Sequence, residues 1–100
     1  MLKVTKANFE GLLAGDTPVL LDFYADWCGP CRMLSPIIEE IAAEHPEITV
    51  GKVNVDEEGE LAAAFGVVSI PMLAVLKSGK VTATSVGVRP KAEIEQMLKA

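Results

Sequence analysis

Only two cysteines, Cys28 and Cys31, and a single histidine, His45, occur in this chain. Structural zinc is held by four ligands, usually Cys and His, and three are available here. A zinc site within one chain is therefore disfavoured, while a site shared between two chains stays open. No polybasic run is present. Nine Lys and Arg are scattered among 14 Asp and Glu, for a net charge of −5. The basic footprint that nucleic acid requires is missing, so nucleic-acid binding is not expected. Long hydrophobic runs are missing too. The longest uncharged stretch, Leu61 to Leu76, is broken by Gly66, Ser69 and Pro71 and falls short of the roughly 20 residues of a spanning helix. Lys3, Lys6, Glu10 and Asp16 interrupt any signal-peptide core near the amino terminus. The expectation is a cytoplasmic monomer with no membrane association. Repeats and low-complexity segments are likewise absent, and residues 1–100 are expected to form a single domain.

Half of the residues are hydrophobic, which predicts a folded globule. A chain of 100 residues buries roughly two-thirds of its unfolded surface, enough for a core without staples. Leu2 to Thr5 reads as a short first strand. Asn8 begins or caps a helix through Phe9, Leu12 and Leu13 that ends near Gly15. Val19 to Ala25, introduced by Pro18, is a nearly continuous apolar strand and so a central one, buried on both faces. A helix from about Cys28 to Glu44 follows, with Pro36 expected to kink it and His45-Pro46 to end it. His45 itself reads as a solvated residue. Ile48 to Val55 is a third strand, reached by a right-handed parallel crossover. Glu58 to Phe65 is a short helix closed by Gly66, and Ile70 to Leu76 is a fourth strand. Lys77-Ser78-Gly79-Lys80 turns a hairpin into Val81 to Val86. After Gly87 and Pro90, Ile94, Met97 and Leu98 mark a last helix. The order βαβαβαββα describes a mixed sheet covered by helices on both faces.

Cys28 and Cys31 bracket Gly29-Pro30 where the central strand gives way to a helix. A thiol at a helix N-terminus faces unpaired backbone N–H groups and the positive end of the helix dipole. Both favour the thiolate, the reactive form. A purely structural disulfide is a weaker account of the pair. Closing a four-residue loop is worth about 2 kcal/mol, against about 4.7 for a 100-residue one. Residues i and i+3 meet on neighbouring helical turns, so Cys28 can attack a partner's disulfide and Cys31 can resolve the mixed disulfide. Cys28, at the helix end, is expected to be reachable and Cys31 to lie one turn deeper. Gly29 permits close approach of a partner's backbone, and Pro30 suits an early helical position.

Asp22 stands alone among apolar neighbours in the central strand. A carboxylate there is costly unless it is neutral, paired or hydrated. Desolvation raises its pKa and lets it carry a proton near neutral pH. It then serves as the general acid/base that takes the proton of Cys31, through water. The plainer account is a buried ion pair with Lys52 on the neighbouring strand. The two are compatible.

Trp27-Cys28-Gly29-Pro30-Cys31 resembles the motif of the thioredoxin family, and the likeness covers essentially the whole chain. It takes in Asp22 to Asp26 before Trp27, Pro36, Lys52 to Asp56, Ile70-Pro71, Ser78-Gly79-Lys80 and Val86-Gly87. In that family the depressed pKa of the first thiol is already a known property of the motif. The resemblance implies an α/β thioredoxin fold, a central mixed five-stranded sheet of order 1-3-2-4-5 flanked by four helices. It implies a protein-disulfide reductase with no bound cofactor, whose redox group is the Cys28–Cys31 disulfide. It further implies recharging by an NADPH-dependent flavoprotein, thioredoxin reductase, and proteins with reducible disulfides as partners. Pro71 would be the family's cis-proline, lying against the disulfide, with Ile70 offering its backbone to an extended substrate segment. Trp27, Pro30, Val86 and Gly87 would form a nearly flat apolar docking surface. Phe9, Phe23 and Phe65 read as core. Gly29-Pro30 between the cysteines favours a reductant, since related oxidants and isomerases usually carry histidine there and glutaredoxins tyrosine. Tyr24, Ser69 and Met72 depart from the commonest family pattern, which leaves the reduction potential and the partner enzymes open. Two rival functions remain: an oxidoreductase dedicated to one partner, and a redox-independent subunit or scaffold of another protein.

Overall fold

Strand β2 (Val19–Tyr24) lies in the middle of the sheet because its first five residues are all buried, which requires cover on both faces. A computed structural model describes residues 1–100, with the elements β1 (Leu2–Lys3), α1 (Lys6–Leu13), β2, α2 (Gly29–Glu44), β3 (Thr49–Asn54), α3 (Gly59–Ala64), β4 (Met72–Lys77), β5 (Lys80–Val86) and α4 (Lys91–Met97). The strand order is β1-β3-β2-β4-β5, as the resemblance implied. β1, β3 and β2 run parallel, while β4 is antiparallel to β2 and β5 to β4.

Successive side chains of a strand point to opposite faces, and β2 sorts its residues that way. Val19, Leu21 and Phe23 join Val53, Met72, Ala74 and Leu76 on one face, packed by Phe9, Leu12 and Leu13 of α1 and Leu61 of α3. Leu20 joins Val50, Leu73 and Val75 on the other, under Leu34, Ile38 and Ile41 of α2 and Ile94 of α4. Asp22 shares this second face by the same alternation. Phe65 meets Phe9 edge-on at 5.6 Å and Phe23 at 5.1 Å between ring centroids, so all three phenylalanines serve the first core. β1 fits beside β3 only because Gly51 has no side chain: a Cβ there would stand 2.5 Å from Val4 Cγ2. The β4–β5 turn has positive φ at both Ser78 (52°) and Gly79 (77°), the twist that suits a two-residue hairpin.

Several boundaries shift from expectation by a residue or more, and three of them, with the role of His45, have a physical reason. β1 has two residues, although Val4 continues its pairing by donating its N–H to Lys52 O at 2.9 Å. α1 begins at Lys6, with Thr5 and not Asn8 at its N-cap. Asn8 sits inside the first turn, where its Oδ1 accepts the Thr5 N–H at 2.9 Å and its Nδ2 donates to Lys3 O at 2.9 Å. β4 begins at Met72, after Pro71, which has no N–H to give a ladder. Finally, His45 does more than end α2. Its Nδ1 and Nε2 lie 3.1 Å from Glu47 and 2.9 Å from Glu95, so it ties α2 to α4.

Candidate active site

Cys28 is the N-cap of α2, in extended backbone (φ −87°, ψ 109°), with Pro30 in the first turn. Its Sγ accepts the Cys31 N–H at 3.2 Å, one of the donors that a helix start leaves unpaired. Cys28 and Cys31 are joined by a disulfide with their Cα atoms 5.2 Å apart. Ala25 is buried with them, and Tyr24, Val55 and Ile70 pack around the three.

The two sulfurs are not separated by depth as the sequence suggested. Both cysteines are 4 % exposed. Cys28 packs with Ala25 and Cys31 under Ile70, while Trp27, Gly29 and Pro30 beside it stay open to solvent. What separates the cysteines is what they face. Cys31 lines a pocket of about 180 Å³ together with Asp22, Tyr24, Ser35 and Lys52, and Cys28 does not.

Asp22 lines that pocket and is buried, with Oδ1 lacking any hydrogen-bond partner. Loss of hydration pushes its pKa from an ordinary 3.8 up to about 6, against the opposing pull of the Lys52 charge. The expected ion pair does not form. Lys52 is the cross-strand partner of Asp22 in β3, yet its ammonium makes no salt bridge and lies 5.7 Å from the centroid of the Tyr24 ring. A parallel ladder sets the two side chains on one face, and the long lysine stem takes its charge to the next residue on that face of β2, Tyr24.

Ile70 packs on the cysteines, and the Ile70–Pro71 peptide is cis. The Pro71 ring is fully buried, and its carbonyl accepts the Gly87 N–H at 2.8 Å. That bond, with Gly87 at φ 95°, fixes the end of β5 beside the proline, where Val86 is half exposed. Trp27 is 68 % exposed, which removes the alternative of a core aromatic.

Two residues of the site escaped sequence reasoning. Trp27 Nε1–H donates to Asp56 Oδ2 at 2.8 Å. Asp56 is aimed there by Asn54, a buried residue at the end of β3 whose Oδ1 accepts the N–H of Asp56 at 2.9 Å and of Glu57 at 3.3 Å. The signal available was an Asn closing a strand ahead of acidic residues, a turn-building pattern. Arg32 adds a further clamp, its Nη1 donating to Asp26 O at 2.8 Å across the loop before Cys28.

Comparison with known proteins agrees with this geometry. The family model described as thioredoxin matches residues 1–100. A thioredoxin of Alicyclobacillus acidocaldarius is 46% identical over 98 residues, covering 97% of this chain and 93% of the relative. A thioredoxin of Haemophilus influenzae is 42% identical over 100 residues, covering 98% and 94%. The solved structure of Plasmodium falciparum thioredoxin superposes with a TM-score of 0.90 at 30% identity, covering 99% of this chain and 97% of that one.

Proposed function

The chain belongs to the thioredoxin family and is a protein-disulfide reductase, and from that premise we propose how its residues divide the reaction. In the dithiol form, the Cys28 thiolate attacks one sulfur of a partner's disulfide. A Cys28–partner bond forms, and the partner's other sulfur leaves as a thiolate that takes a proton. Cys31 then gives its proton to Asp22 and attacks Cys28 Sγ. The Cys28–Cys31 bond closes and the partner's second sulfur departs, protonated in turn. The partner gains two electrons and two protons, and the chain returns to the oxidised state described above.

One observation supports this division of labour: Asp22 and Cys31 line the same pocket, and Cys28 stands outside it. At about 180 Å³ the pocket has room for water between carboxyl and sulfur. A carboxyl with a pKa of about 6 is a far better proton acceptor for a thiol than an ordinary aspartate. Trp27, Gly29, Pro30, Ile70, Pro71, Val86 and Gly87 receive the partner around the disulfide, with the free backbone of Ile70 pairing an extended segment. Lys52 supports the site by its charge.

Family members generally work with a thioredoxin reductase and with disulfide substrates, and the same assignment is proposed here. An NADPH-dependent thioredoxin reductase would recharge the chain, and cytoplasmic enzymes with reducible disulfides would drain it. The electron-transport role and the cytoplasmic setting belong to this proposal. No helix is long and apolar enough to cross a membrane. The whole of residues 1–100 acts as one domain in this reading.

The test is kinetic. Asp22→Asn should slow closure of the Cys28–Cys31 bond from a trapped mixed disulfide while leaving the first attack unchanged. Rates equal to those of the unaltered protein from about pH 6 to about pH 9, the range around shifted carboxyl and thiol pKa values, would remove Asp22 from the mechanism. Changing both cysteines to serine separates a reductase, which loses its function, from a scaffold, which keeps it. Failure to reduce insulin would point to a dedicated partner.

A further inference from the structure

Lys52 has two acceptors within reach of one flexible stem. One is the Asp22 carboxyl, its register partner across the β2–β3 ladder. The other is the ring of Tyr24, two residues further along β2 on the same face. The ammonium is found over the ring, 5.7 Å from its centroid, within the range where a cation is attracted to an aromatic face. Asp22 Oδ1 is left buried with no partner. We propose that Tyr24 is a positioning residue of the active site: its ring holds the Lys52 ammonium off Asp22 and thereby sets how firmly the carboxyl can take a proton.

The argument is electrostatic. Attraction between the two charges falls with distance, and a lysine in contact with Asp22 would hold the carboxylate ionised. A carboxylate so held is a poor acceptor for the Cys31 proton. With the ammonium drawn to the ring, the cation still acts on Asp22, but through space and against a larger desolvation effect. Other charged or titratable groups line the same pocket. Asp26 follows β2, Cys31 and Arg32 belong to α2, and Met1 brings the amino terminus. Cys31 is in the disulfide, and Arg32 is engaged with Asp26 O. Lys52 is the one cation among them that lies over the Tyr24 ring and that the β-ladder sets beside Asp22.

This inference rests on the proton-acceptor reading of Asp22 for its catalytic consequence, but its test does not. The Asp22 carboxyl would be titrated by carbon NMR in the oxidised protein, where no turnover occurs. Tyr24→Leu removes the ring and frees Lys52 to pair, so the midpoint should fall by roughly one unit. Tyr24→Phe and Tyr24→Trp keep an aromatic face and should hold the midpoint where it was. Lys52→Gln should raise it, and Tyr24→Leu added to Lys52→Gln should then change nothing. An unmoved midpoint in Tyr24→Leu overturns the proposal. So does an equal fall with and without Lys52, since the ring would then act on Asp22 by burial alone. Should Tyr24→Leu not fold, the unaltered protein still decides: ring-current displacement of the Lys52 ε-protons is required, and its absence refutes the contact. Normal resolution by Asp22→Asn would defeat the proton-acceptor reading and leave these titrations to be judged separately.

Discussion

At its first turn α2 carries a disulfide whose Cys31 shares a pocket with a buried carboxyl bearing an unpartnered oxygen; at its other end it is held by paired surface charges. At that far end Lys91 of α4 reaches Glu40 at 2.9 Å and Glu44 at 2.6 Å, while His45 sits between Glu47 and Glu95. Hydrogen bonds there favour the charged forms. Glu95 raises the His45 pKa, and Lys91 lowers that of Glu44. At the near end burial dominates and favours the neutral form of Asp22. One helix thus joins a place where polar groups are satisfied, and only hold elements together, to a place where one is left wanting. An unsatisfied buried carboxyl costs stability, and it persists where its proton has a use.

The contrast can be broken most severely at Cys28. Cys28→Ser should bring insulin reduction down to the uncatalysed background, and Cys31→Ser should trap a mixed disulfide visible by mass spectrometry. Next comes Asp22→Asn, with resolution slowed by about 100-fold, the low end for general acid–base catalysis. The same substitution should stabilise the fold. The folded pKa of Asp22 lies above its ordinary value, so between pH 3.8 and about 6 the folded chain holds a proton that the unfolded chain has lost. Stability therefore falls as pH rises through that window, by about 3 kcal/mol in all. Urea unfolding at about pH 8 should show Asp22→Asn recovering most of that amount, and at about pH 3 almost none. A variant no more stable at the higher pH would mean that Asp22 is not desolvated.

The far end should respond faintly. His45 has a raised pKa, so what it contributes is fully present below its ordinary value of 6.5 and is lost as pH rises through the higher folded value. His45→Gln should weaken the fold slightly at about pH 5 and leave it unchanged at about pH 9, with insulin reduction unaltered at both. Lys91→Ala should have the least effect. Its ion pairs stand in solvent, where screening removes most of their worth, and its urea midpoint should hardly move. A reductase defect in either variant would contradict the division between the two ends.

Much of this was legible along the chain. The alternation of Val19 to Tyr24 places Asp22 on the α2 face, and the strand-to-helix passage through Trp27-Cys28-Gly29-Pro30-Cys31 puts the first cysteine at the N-cap. Asp22 was found because a lone carboxylate in an apolar run is conspicuous. The destination of Lys52 was not legible. Register puts it beside Asp22, but a four-carbon stem lets the ammonium choose, and that choice depends on which ring lies nearby. Nor was the Trp27–Asp56 bond, whose partners are 29 residues apart and meet only when β3 is laid against β2. The near-equal burial of Cys28 and Cys31 depends on Tyr24, Val55 and Ile70 packing around both, which residue spacing does not express.

By itself the sequence determined the elements, the buried faces and the pairing of two thiols at a helix start, because these follow from contacts within a turn or along a strand. The tertiary structure alone decided that both cysteines are buried alike, where the Lys52 charge rests, and how His45 binds α2 to α4 across 50 residues of chain. Those depend on distances between side chains that meet only after the sheet and helices have packed, and a competition between two acceptors for one cation is settled by a few ångströms.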